Sequence, residues 1–349
     1  MSLSLSSQEY DRLIEVCEKL SGSVEPGYRF IKIYFRNGPR FFATDGCAKL
    51  ELPAGSGSSC FEGTYVLPLD YAKALKNQPE VSEISFSFSD ETLLLETDTQ
   101  KLTIQKSRLP GHPEMERKFE YLFGIQVKEF TRKLDYVSSI SNEGDLIEIA
   151  ANSESVLMIS QAAGMTAVSF IDIPAKHKFT FSIPYVTSRH LVKALSLTKA
   201  GNLSFGTGIA ELGLKTGRML FSLCRLNETK SSAQISSIRN WPGSPVRIDK
   251  RKLTGALRKA CSLIGRGLSI LLVSENRKVR LYLKTANMRY EEKLTDEFSE
   301  DFITKVDPHR LRAALSRLPG DSVLLGRHAN AVLLADGKGS DFILIPEIR

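Results

Sequence analysis

The sequence predicts an α+β chain of three tandem units, each running helix, strands, helix, strands. Three observations carry this reading. Helical stripes followed by strand-like alternation recur three times, and the recurrences keep a step of 120 residues. The 349 residues are 42% apolar and 25% charged, which suits two or three globular domains and argues against disorder, collagen-like repeats and coiled coil. The units have approximate bounds 1–117, 118–240 and 241–349.

The front helix of each unit shows as a stripe. Tyr10, Ile14, Cys17 and Leu20 share one face, Phe130, Leu134, Val137 and Ile140 repeat it 120 residues later, and Leu253, Leu257, Ala260 and Leu263 repeat it with the spacing stretched by three. The rear half of the first unit reads as a strand and short helix over 65–75, then strands over 84–88, 92–96 and 101–105. Its counterparts lie at 181–195 and 203–223, and at 302–315 and 322–345. Leu75, Leu195 and Leu315 keep the 120 step, as do Leu94, Leu214 and Leu334, and Gly217 and Gly337 keep it in a hairpin turn. Turn formers at 108–113, 227–237 and 240–245 mark the joins.

Motifs for enzyme chemistry are missing. His112, His177, His190, His309 and His328 have no zinc-site spacing, and Gly206-Thr-Gly208 bridges two strands instead of opening a helix. The Gly55-to-Ser59 run lacks the lysine of a phosphate loop and reads as a surface loop. Asp45-Gly46 between two apolar runs reads as a tight turn, not a catalytic aspartate. Neither cofactor nor metal is expected. Cys17, Cys47, Cys60, Cys224 and Cys261 are odd in number and widely spaced, a poor disulfide framework that favours a reducing, cytosolic setting. The N-terminus lacks a signal-peptide pattern, and nowhere do eighteen apolar residues run together.

Charge is graded along the chain. The formal net charge of +7 resolves into −4, +4 and +7 over the three units. Cations recur on the helices: Arg12, Lys19, Lys73 and Lys76; Lys128, Arg132, Lys133, Arg189 and Lys193; Lys250, Arg251, Lys252, Arg258, Lys259, Arg310, Arg312 and Arg317. Repeated cations without interleaved aromatics suit sequence-independent contact with duplex phosphates, not base reading or single-strand stacking. The third unit also carries Glu291, Glu292, Asp296, Glu297, Glu300 and Asp301, while the last strand region of the first holds Lys101, Lys106 and Arg108. Two readings stay open for these charges: edge-strand pairing across two chains, or a solvated acidic loop.

With these residues assembled, the chain resembles the bacterial DNA polymerase III β subunit family, the sliding clamps of replication. The likeness rests on the three tandem units, Leu109-Pro110 with Pro113 closing the first, Leu318-Pro-Gly-Asp321 after the last helix, the C-terminal strand from Ile343, and the alanine-threonine-aspartate-glycine turn of Ala43 to Gly46. It implies a cytoplasmic homodimeric ring whose helices line a hole for duplex DNA while antiparallel sheets form the outside. Such a ring is a processivity factor, not an enzyme; a clamp loader opens it, and DNA polymerase III, other polymerases and repair proteins dock peptides on it. By position, Gly164, Met165, Ala167, Ile238, Ala331, Ile343, Ile345 and Pro346 would line the peptide pocket. Leu109, Lys106 and Arg108 would meet Leu263, Ile264, Glu297 and Glu300 at the dimer contact. The chain departs from the family in its net positive charge and at three places: the second-domain place of the aspartate-glycine turn reads Gln161-Ala-Ala-Gly164, Glu347 stands where an apolar residue is usual, and the joining loop 227–237 lacks the usual proline and aromatic. The alternatives are a divergent paralogue serving repair or accessory-replicon partners, and an enzyme with an unrecognised assembled site.

Overall fold

Serine and leucine alternate over residues 2–6, and as a strand this run puts Leu3 and Leu5 on one buried face. The computed structural model describes residues 2–21, 26–55, 60–78, 80–151, 154–198, 201–226, 245–264, 268–276, 278–296 and 300–348. Its first run of elements is β1 (Ser2–Ser6), α1 (Ser7–Ser21), β2 (Phe30–Phe35), β3 (Pro39–Thr44), β4 (Ala48–Pro53), β5 (Thr64–Pro68), α2 (Leu69–Ala74), β6 (Glu83–Phe88), β7 (Thr92–Glu96), β8 (Lys101–Gln105) and the short β9 (Arg108–Leu109). The second run is β10 (Glu120–Gln126), α3 (Val127–Ser138), β11 (Leu146–Ala151), β12 (Val156–Ala162), β13 (Met165–Ile171), β14 (Phe179–Pro184), α4 (Tyr185–Ser196), β15 (Asn202–Thr207), β16 (Glu211–Thr216) and β17 (Met219–Cys224). The third is β18 (Val246–Asp249), α5 (Lys250–Leu263), β19 (Ile270–Glu275), β20 (Lys278–Lys284), β21 (Arg289–Thr295), β22 (Phe302–Val306), α6 (Pro308–Arg317), β23 (Ser322–His328), β24 (Ala331–Asp336) and β25 (Asp341–Pro346).

The chain forms two compact units, Met1–Arg132 with Val186–Leu226, and Lys133–Tyr185 with Asn227–Arg349. In the first, a four-stranded sheet has the order β1-β6-β7-β8 and a nine-stranded sheet the order β10-β15-β16-β17-β4-β3-β2-β5-β9. In the second, an eight-stranded sheet runs β14-β11-β12-β13-β25-β24-β23-β18 and a four-stranded sheet β21-β20-β19-β22. The fold is α+β, with few helices and antiparallel sheets throughout. The helical stripes account for the packing: Tyr10, Ile14, Cys17 and Leu20 on α1 are fully buried, as are Leu253, Leu257 and Ala260 on α5.

Each large sheet is made continuous by one strand pair. β17 joins β4 with Phe221 opposite Leu50, and β25 joins β13 with Ile343 opposite Ala167. Following the ladders inward shows that these are equivalent positions. Leu214 faces Phe221 and Leu334 faces Ile343 on one side, while Ala43 faces Leu50 and Ser160 faces Ala167 on the other. The same tracing in the first run reaches Leu102, opposite Leu95, and in the third reaches Tyr290, opposite Leu283. Leu95, not Leu94, therefore occupies the inner place of Leu214 and Leu334. One extra residue between α2 and β6 slips the 120 step and turns Leu94 to the other face.

The first join is reinforced covalently, which corrects the expectation of an unpaired cysteine set. Cys47 and Cys224, opposite one another just outside β4 and at the end of β17, are disulfide-bonded with Cα atoms 4.9 Å apart. Their separation of 177 residues hid the pair, because spacing along the chain says nothing of facing strands. Asp45 shapes the adjoining turn by accepting from the Cys47 and Ala48 amides at 3.0 and 2.6 Å, and His190 Nδ1 sits 2.9 Å from its other oxygen. Gly46 adopts φ +97°, and a Cβ there would lie 2.8 Å from the Tyr28 hydroxyl. The segment after β9 straps the outer face of this sheet. Glu116 accepts the amides of Ile209, Ala210 and Glu211, and Arg117 pairs with Glu51 at 2.9 Å. Burial pushes the Glu51 carboxyl up, but hydrogen bonds from Tyr34 and Arg117 reverse this and hold it below its ordinary value.

A disulfide closing so long a loop contributes about 2–5 kcal/mol. The Cys47→Ser/Cys224→Ser variant is expected to keep its far-UV circular dichroism and to lower the midpoint of the less stable thermal transition by several degrees. Thermal melts of oxidised wild type and variant check this.

Candidate nucleic-acid interface

The six helices of the described residues carry the cations singled out from sequence. On α1, Arg12 is exposed and Lys19 lies in the last turn, where positive charge complements the helix dipole. On α2, Lys73 and the nearby Lys76 converge on Glu18 of α1 at 2.8 and 3.9 Å. Burial raises the Glu18 carboxyl, and the Lys73 hydrogen bond with the charges of Lys73, Lys76 and Lys19 overcomes it, leaving the group below its usual range. Lys128 and Arg132 on α3 and Lys193 on α4 are exposed, and Arg189 is half-buried.

The second unit concentrates positive charge. Arg251, Lys252, Arg258 and Lys259 are exposed on α5, and Lys259 reaches Glu292 at 3.1 Å. Helix α6 packs against α5, and the cleft between them, about 430 Å³, is lined by Arg258, His309 and Arg312 with Thr254, Ala313 and Ser316. Two arginines far apart in sequence thus share one groove, a geometry suited to phosphate oxygens. Asp307 caps α6 by accepting from the His309 amide at 2.8 Å, which fixes where these side chains emerge.

Lys133 departs from the expected exposed set. It is 2% exposed, with its ammonium 2.7 Å from Asp341 Oδ1 and 3.1 Å from Ser340 Oγ. The helical period places it beside Leu134, facing the β24–β25 hairpin. It holds the helix to the sheet and presents no charge to a ligand.

The strand pair β13–β25 brings most of the expected peptide-pocket residues together. Ala167 opposes Ile343 and Ala331 opposes Pro346, but Ala167, Ile343 and Ile345 are fully buried and Met165 nearly so. Gly164, Ala331 and Pro346 reach the surface, and Ile238 lies outside the described residues. Position along the strands explains the split: Gly164 lies in the β12–β13 turn, Ala331 begins β24 and Pro346 ends β25, while both faces of the sheet between them are packed. Charge rims this end of the join. The Arg310 guanidinium lies 2.6 Å from where a Cβ on Gly164 would stand, and Glu347 accepts from Arg327 at 2.6 Å and Thr304 at 2.8 Å.

Eight strands form sheet edges among the described residues, and two of them, β8 in the first unit and β21 in the second, hold the places that joined strands hold elsewhere in the chain. Leu109 (44%) and Leu263 (43%) are exposed apolar side chains of the expected dimer contact, Lys106 and Glu300 are exposed, and Arg108 pairs with Asp90. Ile264 departs from that set. It is 6% exposed and packs inside its own unit. Glu297 lies outside the described residues.

No protein-family model and no curated protein sequence matches the chain. Solved structures do. The DNA polymerase III β subunit of Thermotoga maritima matches with a TM-score of 0.79 at 13% identity over 100% of this chain and 99% of that one. The DNA polymerase III subunit β of Pseudomonas aeruginosa gives 0.78 at 16% over the whole of both chains, and the β subunit from the DNA polymerase of Streptococcus pyogenes gives 0.77 at 12%, also over both. The chain has the sliding-clamp fold. Identities this low explain why a sequence comparison is silent while the sheets and helices superpose over full length. No described helix is long and apolar enough to cross a membrane.

In this clamp fold, the buried Lys133–Asp341 pair and the Cys47–Cys224 bond were the features sequence reasoning missed. An arginine at 132 followed by a lysine at 133 carries no mark of which one faces inward until the stripe of Phe130, Leu134 and Val137 is extended to its flank. Removing one partner of a buried pair costs about 3–5 kcal/mol. Lys133→Ala is expected to destabilise the protein by that amount in denaturant unfolding, whereas Arg132→Ala, on the exposed side, changes stability by less than about 1 kcal/mol.

Proposed function

We propose that the chain is a sliding clamp, two copies of which close head to tail into a ring around duplex DNA and tether a polymerase for processive synthesis. One observation supports this above the others. The chain makes the same strand joint twice internally, in one register, and leaves over one unpaired copy of each half: β8, equivalent to β17 and β25, and β21, equivalent to β4 and β13. Open edges invite pairing. A second chain supplies both missing partners, so the assembly closes after two copies, with units 1–117, 118–240 and 241–349 each present twice and six units in all around the ring.

The internal register extends to the joint between chains. Leu102 of one copy faces Tyr290 of the other, and Lys101 faces Glu291, an opposite-charge pair across an antiparallel ladder. Leu109 and Leu263 then flank the joint as apolar contacts. The helix cations, with Arg258 and Arg312 foremost, would meet phosphates without reading sequence, and topological linkage, not affinity, would keep the ring on DNA. The clamp makes and breaks no covalent bond. A clamp loader, DNA polymerase III and other polymerases are its partners, the peptide binders docking at the β13–β25 end around Gly164, Ala331 and Pro346. The Glu347–Arg327 pair and Arg310 at that rim favour a second reading, a paralogue whose peptides carry complementary charge for repair or accessory replicons.

A Lys101→Cys/Glu291→Cys variant is expected to form a disulfide-linked dimer of twice 38.8 kDa under mild oxidation. Only monomer on a non-reducing gel contradicts the register. Leu263→Asp, at an exposed position, is expected to yield monomers by sedimentation. Loaded on nicked circular DNA, the protein is expected to survive a salt wash and to leave once the circle is cut; equal release from linear and circular DNA contradicts encirclement.

A further inference from the structure

The two internal joins share a register but not a filling. At the β13–β25 join, Lys133 and Tyr136 of α3 are buried, and Lys133 contacts the four-residue turn of the β24–β25 hairpin. At the β4–β17 join the equivalent places on α1 hold Leu13 and Val16, and the β16–β17 turn is only Gly217 and Arg218. Smaller side chains and a shorter hairpin leave a cavity of about 470 Å³, a size typical of ligand sites.

Its chemistry is specific. Leu13, Val16, Leu52 and Met219 give an apolar floor, and Arg12 and Arg218 stand at the wall. Neither guanidinium has an ion-pair or hydrogen-bond partner among the described residues. Glu9, the one acid in the lining, directs Oε1 to the Gly55 amide at 2.9 Å and makes no ion pair with Arg12. The cavity therefore keeps two unanswered positive charges over an apolar base.

We infer that this cavity binds an apolar group bearing a carboxylate, the apolar part on the Leu13–Val16–Leu52–Met219 floor and the carboxylate on Arg12 and Arg218. The ligand is either a small apolar acid or the C-terminal end of a peptide, which share this chemistry. The site lies within one chain and stands whether or not the ring forms.

Displacement of 8-anilinonaphthalene-1-sulfonate from DNA-free protein tests it, with decanoate and N-acetyl-phenylalanyl-leucine as acids and decanol and the peptide amide as neutral controls. At least one acid is expected to displace the dye saturably, one per chain, with its neutral control at least fivefold weaker; which acid does so identifies the source. Arg12→Ala/Arg218→Ala, at exposed positions, and Met219→Trp, which fills the floor, are each expected to weaken that acid at least fivefold while keeping the wild-type thermal midpoint. If Met219→Trp fails to fold, the double arginine variant decides alone. Absence of saturable displacement, neutral controls within fivefold of the acids, or an arginine variant within fivefold of wild type overturns the proposal.

Discussion

An antiparallel strand with one open edge is an unsatisfied hydrogen-bonding surface, and this chain's architecture follows from how it satisfies such edges. β17 meets β4 and β25 meets β13 in matching register, and each pairing turns two smaller sheets into one. The side chains opposed there, Phe221 on Leu50 and Ile343 on Ala167, are fully buried, so the pairing carries apolar packing as well as backbone bonds. What surrounds each join is adjusted to local need. The first has a disulfide, the Asp45–His190 contact and the Glu116–Arg117 strap, while the second has the Lys133–Asp341 pair.

Equivalent positions thus accept different chemistry. Cys47 opposite Cys224 corresponds to Gly164 opposite Pro346, so a covalent staple in one join stands where the other presents surface residues. At the opposite end of the joins the contrast reverses, with a buried ion pair in the second and a cavity in the first. Repeats that share a backbone plan can diverge this way because register is set by strand pairing and alternation, whereas filling is set by individual side chains.

Much of the fold was legible because it rests on periodicity. The α1 stripe of Tyr10, Ile14, Cys17 and Leu20 is wholly buried, and the strand–helix–strand runs lie where alternation put them. The site was legible in kind but not in detail. Lysine and arginine mark a helix as basic, yet only the fold distinguishes exposed Arg132 from buried Lys133, or Lys73 tied to Glu18 from Arg258 on the α5–α6 cleft. Leu94 shows the same limit: a single inserted residue reverses which face a leucine takes, and a 120-residue step cannot register it. Contacts between distant strands, such as Cys47 with Cys224, leave no local trace at all.

The central claim is that β8 and β21 are halves of a third joint completed by a second chain. Amide hydrogen exchange measured across protein concentration tests this most directly, because it reads the backbone groups that the joint would pair. The account predicts that Lys101–Gln105 and Arg289–Thr295 become protected together as concentration rises, while β4, β13, β17 and β25 stay protected throughout. Exchange from β8 and β21 that stays fast at every concentration, in protein sedimenting as a dimer, would contradict it.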